Sequence, residues 1–107
     1  RVFWWLTKHK NEVGEFDFQS SLMGGRLSRG GLVMDFILLD FIPQLVINVQ
    51  GEYWHFGSSI LMAKDRLTKE RIIALGMDVV YVREQDLIDR LDYTMRNAIN
   101  KVQLYGD

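Results

Sequence analysis

The sequence predicts an α/β domain, a mixed four-stranded sheet flanked by helices in the order α-β-β-β-α-β-α. Three observations lead there. Leu32 to Phe41 and Leu45 to Gln50 are apolar on both faces, as central strands are. A helical segment ending at Gly76 separates them from a further strand-like run, Asp78-Val79-Val80-Tyr81-Val82, so that strand is expected parallel to an earlier one. Aromatic and apolar residues recur at helical spacing at both ends of the chain.

Each element has its own justification. Arg1 to about Glu12 reads as a helix carrying Val2, Trp5, Leu6 and His9 on one stripe, ended by Asn11 and Gly14. The chain opens at Arg1 on this aromatic helix without a cap, so residues 1–107 read as one domain, a fragment lacking the start of its first helix. Glu15 to Ser20 alternates, with Phe16 and Phe18 on one face and Asp17 and Gln19 on the other. Gly24 to Gly31 is a glycine-rich connection. Ile42-Pro43-Gln44 supplies the turn between the two central strands. Ser58 or Ser59 caps a helix running to Leu75, and the last helix repeats Leu87, Leu91, Met95, Ala98 and Val102 along one stripe.

Composition narrows the functional classes. At 107 residues the chain suits a single core, and 48% hydrophobic with 25% charged residues is ordinary globular composition. A net charge of −1 lacks the basic footprint of a dedicated nucleic-acid binder, so any basic surface must be local. Such clusters occur at Arg26 and Arg29 and at Lys64, Arg66, Lys69 and Arg71, the latter group also readable as a solvated helix face. The absence of cysteine excludes disulfides and thiolate metal sites. With no membrane-length apolar run and no signal peptide, the expectation is a soluble, cytoplasmic protein.

Chemistry concentrates in a few residues. Asp35 lies in an apolar strand, expected on the face of Val33, Ile37 and Leu39, opposite Met34, Phe36 and Leu38. A buried, uncompensated carboxylate there costs several kcal/mol, so it calls for Mg²⁺ or an arginine unless it faces water at a sheet edge. Asn48 and Gln50 share one face of the next strand but are neutral amides, unable to serve as bases near neutral pH. His55, after Gly51, Tyr53 and Trp54, can take a proton from water at physiological pH, the task of a general base. His9 has no such context. Asp65 can orient His55 or pair with a neighbouring cation such as Arg66 or Lys69, and Glu52 is a further candidate ligand.

The run Gln50-Gly51-Glu52-Tyr53-Trp54-His55, then Lys64-Asp65-Arg66, then Leu75 to Glu84, resembles the very-short-patch-repair (Vsr) endonucleases. It is similar too to the Vsr-like homing endonucleases of phages, whose motif is written EDxHD, both within the PD-(D/E)xK nuclease superfamily. The likeness covers roughly Gly30 to Glu84. It implies a restriction-endonuclease-like fold and a Mg²⁺- (or Mn²⁺-) dependent DNA endonuclease. In that case Asp35 matches the metal-binding aspartate, the carbonyl of Val49 faces the same ion, His55 matches the catalytic histidine and Asp65 the later acid. Arg29, Lys64, Arg66 and Lys69 are then the candidates for holding DNA phosphates. Two features depart from the family. Its glutamate in the first helix has no counterpart here and is expected just upstream of Arg1, and Gln50 stands where Vsr proteins have another histidine.

A reading of a different class keeps the nuclease fold without cleavage, as a DNA-binding or assembly module of a phage or mobile-element protein, with other domains of the polypeptide supplying specificity. The neutral Asn48 and Gln50 favour it. A third reading, a structural oligomer joined through Met- and aromatic-rich surfaces, has no feature that recommends it above the other two.

Overall fold

The structure, a computed structural model, describes residues 1–18, 34–50, 59–102 and 104, and of 59–65 only the helical backbone. Helix α1 (Val2–Lys8) forms because Val2, Trp5 and Leu6 fall on one stripe and are all buried. His9 interrupts it at φ −105° and ψ 27°, donating its ring Nδ1–H to the Trp5 carbonyl at 2.9 Å, and a single further turn, α2 (Lys10–Val13), follows. Gly14 then turns the chain at φ 77°, where a Cβ would overlap the carboxylate of Asp40. That carboxylate accepts the N–H of Glu15 at 2.9 Å, which sets the start of β1 (Phe16–Phe18).

The sheet continues through β2 (Phe36–Leu38), β3 (Leu45–Gln50) and β4 (Asp78–Arg83), with α3 (Ser59–Ala74) between the last two. Among the described residues the spatial order is β1-β2-β3-β4, the same as the order along the chain. The first three strands pair antiparallel, with Phe16 opposite Leu38 and Phe36 opposite Ile47. β4 joins β3 in parallel, from Leu45 opposite Asp78 to Gln50 opposite Arg83. The crossover helix is what permits the parallel pairing, as the sequence predicts.

Both faces of this sheet are covered. On one, Leu38, Leu45, Ile47, Val80 and Val82 pack with Trp5, Leu6, Leu87, Met95 and Ala98 from α1, α4 (Glu84–Asp89) and α5 (Leu91–Ile99). On the other, Ile37, Val46, Val79 and Tyr81 pack with Met34, Met77 and Ile72 of α3. Double burial is why the central strands are apolar throughout rather than alternating. Fully burying each Leu or Ile side chain in this way contributes about 1.5–3 kcal/mol relative to exposure.

A mixed α/β fold with a four-stranded open sheet flanked by helices is thus borne out, but the expected element order is not. The order found is α-α-β-β-β-α-β-α-α. The first helix is split at His9, and the last at Arg90, whose φ of −151° and ψ of 64° lie outside the helical region. Neither break is marked by glycine or proline. Of the strand expected over Leu32 to Phe41, Leu32 and Val33 lie outside the described residues, and among the rest pairing is confined to Phe36–Leu38, with a bend at Asp35 and turns or bends from Leu39 to Pro43. The Ile42–Pro43 peptide in that turn is cis. The bend moves Met34 to the α3 side together with Ile37, whereas strict alternation assigned it to the side of Phe36 and Leu38.

Candidate functional site

The alternation of β3 and β4 decides what stands at their carboxyl ends. Val46 packs against α3 while Leu45, Ile47 and Val49 pack against the other helices, so Asn48 and Gln50 belong to the α3 side. On β4 the same reasoning puts Val79, Tyr81 and Arg83 on that side and Val80 and Val82 on the other. The parallel register sets Asn48 beside Tyr81 and Gln50 beside Arg83. Polar side chains therefore gather at the carboxyl ends of β3 and β4, beyond the apolar middle of both strands. In open α/β sheets the carboxyl ends of parallel strands are where ligands bind.

Asp35 meets β3 at this end. It precedes β2, which runs antiparallel to β3, so the start of one strand lies beside the finish of the other. The N–H of Val49 donates to Asp35 Oδ2 at 2.8 Å, and the N–H of Asp35 donates to Asn48 Oδ1 at 2.7 Å. Two side-chain acceptors thus take over from main-chain carbonyls where the ladder stops. Asp35 is 9% exposed and Asn48 2%, so both bonds form largely out of water, where a lost partner is costly. Because N–H and C=O of one residue project to the same side of an extended strand, the Val49 carbonyl also lies toward Asp35.

The Val49 side chain points the other way. With Phe36, Leu87, Ile88 and Glu84 it lines an open cavity of about 380 Å³ beside the start of α1. The strand end thus presents a polar arrangement on the α3 side and a cleft on the other.

The remaining residues singled out in the sequence divide. Arg66 is exposed on α3, and Lys69 is half-buried on the same helix, one turn before the core residue Ile72 and on its stripe. Since α3 runs back from the end of β3 to the start of β4, Lys69 lies nearer the polar end than Ile72 does. Lys64 and Asp65 belong to α3, but their side chains lie outside the described residues. Arg29, Glu52 and His55 lie outside the described residues altogether. His9 belongs to a different place, stacked on Trp5 with ring centroids 4.0 Å apart.

At this end the Asp35 carboxylate is the group that could hold a hard cation, which would keep several waters, whereas the Asn48 amide oxygen already accepts the Asp35 N–H. Among the described residues there is no group of three or more His, Cys, Asp and Glu side chains placed to hold a metal ion. Tyr81 and Arg83, which sequence reasoning did not single out as site residues, become neighbours of Asn48 and Gln50 only through the strand register. Their one sequence signal is the alternation Val79, Tyr81, Arg83 up to the end of a strand.

Comparison of the chain with protein-family models, with curated proteins and with solved structures returns no match. Among the described residues no helix is long and apolar enough to cross a membrane.

Proposed function

We propose that the polar end of β3 and β4 is the active site of a Mg²⁺- or Mn²⁺-dependent DNA endonuclease of the Vsr-like kind within the PD-(D/E)xK superfamily. The observation that carries this reading is Asp35, a buried carboxylate fixed by the Val49 N–H at the carboxyl end of a central strand. Asp35 and the Val49 carbonyl would hold the cation, which when bound supplies positive charge to a phosphate oxygen. His55 takes the proton from the attacking water, and Asp65 orients the imidazole. Arg29, Lys64, Arg66 and Lys69 bind flanking phosphates, adding salt-sensitive affinity without sequence information. The test is incubation of supercoiled plasmid with the protein and Mg²⁺ or Mn²⁺, beside Asp35→Ala and His55→Ala. Relaxed or linear product from the parent and none from either variant is expected, and unchanged cutting by both variants ends the assignment.

One observation favours a second reading. Asn48 occupies a place where a nuclease would favour another carboxylate, and its amide oxygen is engaged by the N–H of Asp35. On this reading the fold serves as a DNA-binding or assembly module without cleavage. Plasmid that is bound but left uncut, even by a chain extended upstream of Arg1, supports it.

A further inference from the structure

The cavity on the far side of the strand end shares its walls with the proposed site. Phe36, which lines it, directly follows Asp35, and Val49, which lines it from β3, donates its N–H to Asp35 Oδ2 at 2.8 Å. A ligand atom at that carboxylate therefore stands one residue step from the cavity along either strand. The volume of about 380 Å³ falls in the range of small-molecule sites. Phe36, Val49, Leu87 and Ile88 give it apolar walls, and among the described residues Arg1 and Glu84 are the charged ones that line it.

A line of aromatic rings leads from this cavity to the surface. Phe36 stacks with Phe18, centroids 6.4 Å apart and planes at 25°, and Phe18 meets Phe3 edge-on at 4.6 Å. Phe18 ends β1 opposite Phe36 at the start of β2, so the rings stand at the same end of the sheet as Asp35. Phe18 and Phe3 are both exposed.

We infer that the cavity takes one unpaired base of the strand whose phosphate lies at Asp35, guanine before the others, with Phe18 and Phe3 as the platform for bases beyond it. The inference rests on the nuclease reading for the phosphate and names the substrate class, nucleic acid that is unpaired beside the cleaved bond. A nucleobase is apolar on its two faces and carries its hydrogen-bonding groups on its edge, which matches apolar walls with a carboxylate among them. Guanine alone of the DNA bases presents two neighbouring N–H donors, N1 and N2, to the two oxygens of a carboxylate such as Glu84. The exposed rings favour a strand over a free nucleotide, because successive bases can each stack on an aromatic side chain. Stacking also adds affinity without a basic surface, in keeping with a net charge of −1.

The test measures, by fluorescence anisotropy, binding of labelled oligothymidylate with and without a central guanine, beside plasmid cleavage, for the parent chain, Glu84→Gln and Ile88→Trp. Ile88 is half exposed, so a larger side chain there narrows the cavity without entering the core. The parent is expected to bind the guanine strand about tenfold more tightly, the scale of a charge-assisted hydrogen bond. Glu84→Gln should lose most of that preference and Ile88→Trp all of it, with both variants folded by thermal melt. A preference kept by either variant, even with weaker binding overall, overturns the assignment to this cavity. A parent that cuts plasmid but binds both strands equally overturns the base site and leaves the nuclease reading standing. Deoxyguanosine monophosphate that binds as tightly as the guanine strand overturns the strand as ligand in favour of a free nucleotide. Guanine preference without plasmid cutting upholds the base site and removes the catalytic part of the nuclease reading. A parent that neither binds a strand nor cuts overturns both.

Discussion

Asn48 Oδ1 accepts the main-chain N–H of Asp35 at 2.7 Å, so a neutral amide takes the place of a strand carbonyl beside a buried carboxylate. Asn48→Asp would keep an acceptor there and add a second negative charge. Without divalent cation the folded state is expected to lose about 1–3 kcal/mol, the scale of a desolvation penalty not met by a partner. Mg²⁺ should return part of it if Asp35 faces a cation. Thermal melts of the variant in Mg²⁺ and in EDTA check this, and identical midpoints argue against a cation at Asp35.

Gly14 and Gly76 both have positive φ, 77° and 87°, but only Gly14 faces a close neighbour, the Asp40 carboxylate. Gly76→Ala should cost about 1–2 kcal/mol, the backbone penalty alone. Gly14→Ala should cost more, because the added methyl displaces the carboxylate that caps Glu15. Urea denaturation of the pair measures the difference, to which the Asp40 contact and the extended ψ of −154° at Gly14 both contribute.

Asp92 receives the Trp5 indole N–H at 3.1 Å and the Arg96 guanidinium at 3.1 Å. The Trp5 hydrogen bond first, and Arg96 after it, hold its carboxyl below the ordinary 3.8. A group with a lowered folded value contributes stability that is complete above its unfolded value and disappears as pH falls through the folded one. Asp92→Asn should therefore lose stability at neutral pH and show a flatter decline on acidification below 3.8. Denaturation midpoints measured from neutral pH into acid give the comparison, and parallel curves for parent and variant contradict it.

Ile47 is fully buried in the middle of β3, and Ile42 is 95% exposed in the turn before it. Ile47→Ala should cost about 2–5 kcal/mol through lost burial and the cavity left behind. Ile42→Ala should stay within about 0.5 kcal/mol of the parent. Equal losses in the two variants would contradict the assignment of β3 to the core.

The sequence signals that proved legible are those with a local physical cause. Val79 to Val82 is apolar because both faces of β4 are buried, and a helix between it and β3 makes parallel pairing the natural outcome. The end of β2 was not legible. Leu32 to Phe41 is apolar well past the point where pairing stops, and hydropathy alone carries no mark of a ladder's limit. The breaks at His9 and Arg90 carry no glycine or proline to announce them, and the bond from Trp5 to Asp92 that joins α1 to α5 links residues far apart in the chain. Asp35 and Asn48 were visible as polar residues among apolar ones, yet their mutual bond, and the nearness of Tyr81 and Arg83, depend on register. Register is a property of two strands together, and neither strand states it by itself.

A sheet whose spatial order repeats its chain order can be assembled by adding each strand to the one made just before. The hairpin of β2 and β3 closes the shortest loop and so loses the least chain entropy on forming. β4 arrives last across the longest excursion, the one that contains α3, and the docking of that strand is the natural rate-limiting event. Substitutions at Val80 should then slow folding, as should those at Ile37 or Val46 in the hairpin that β4 joins.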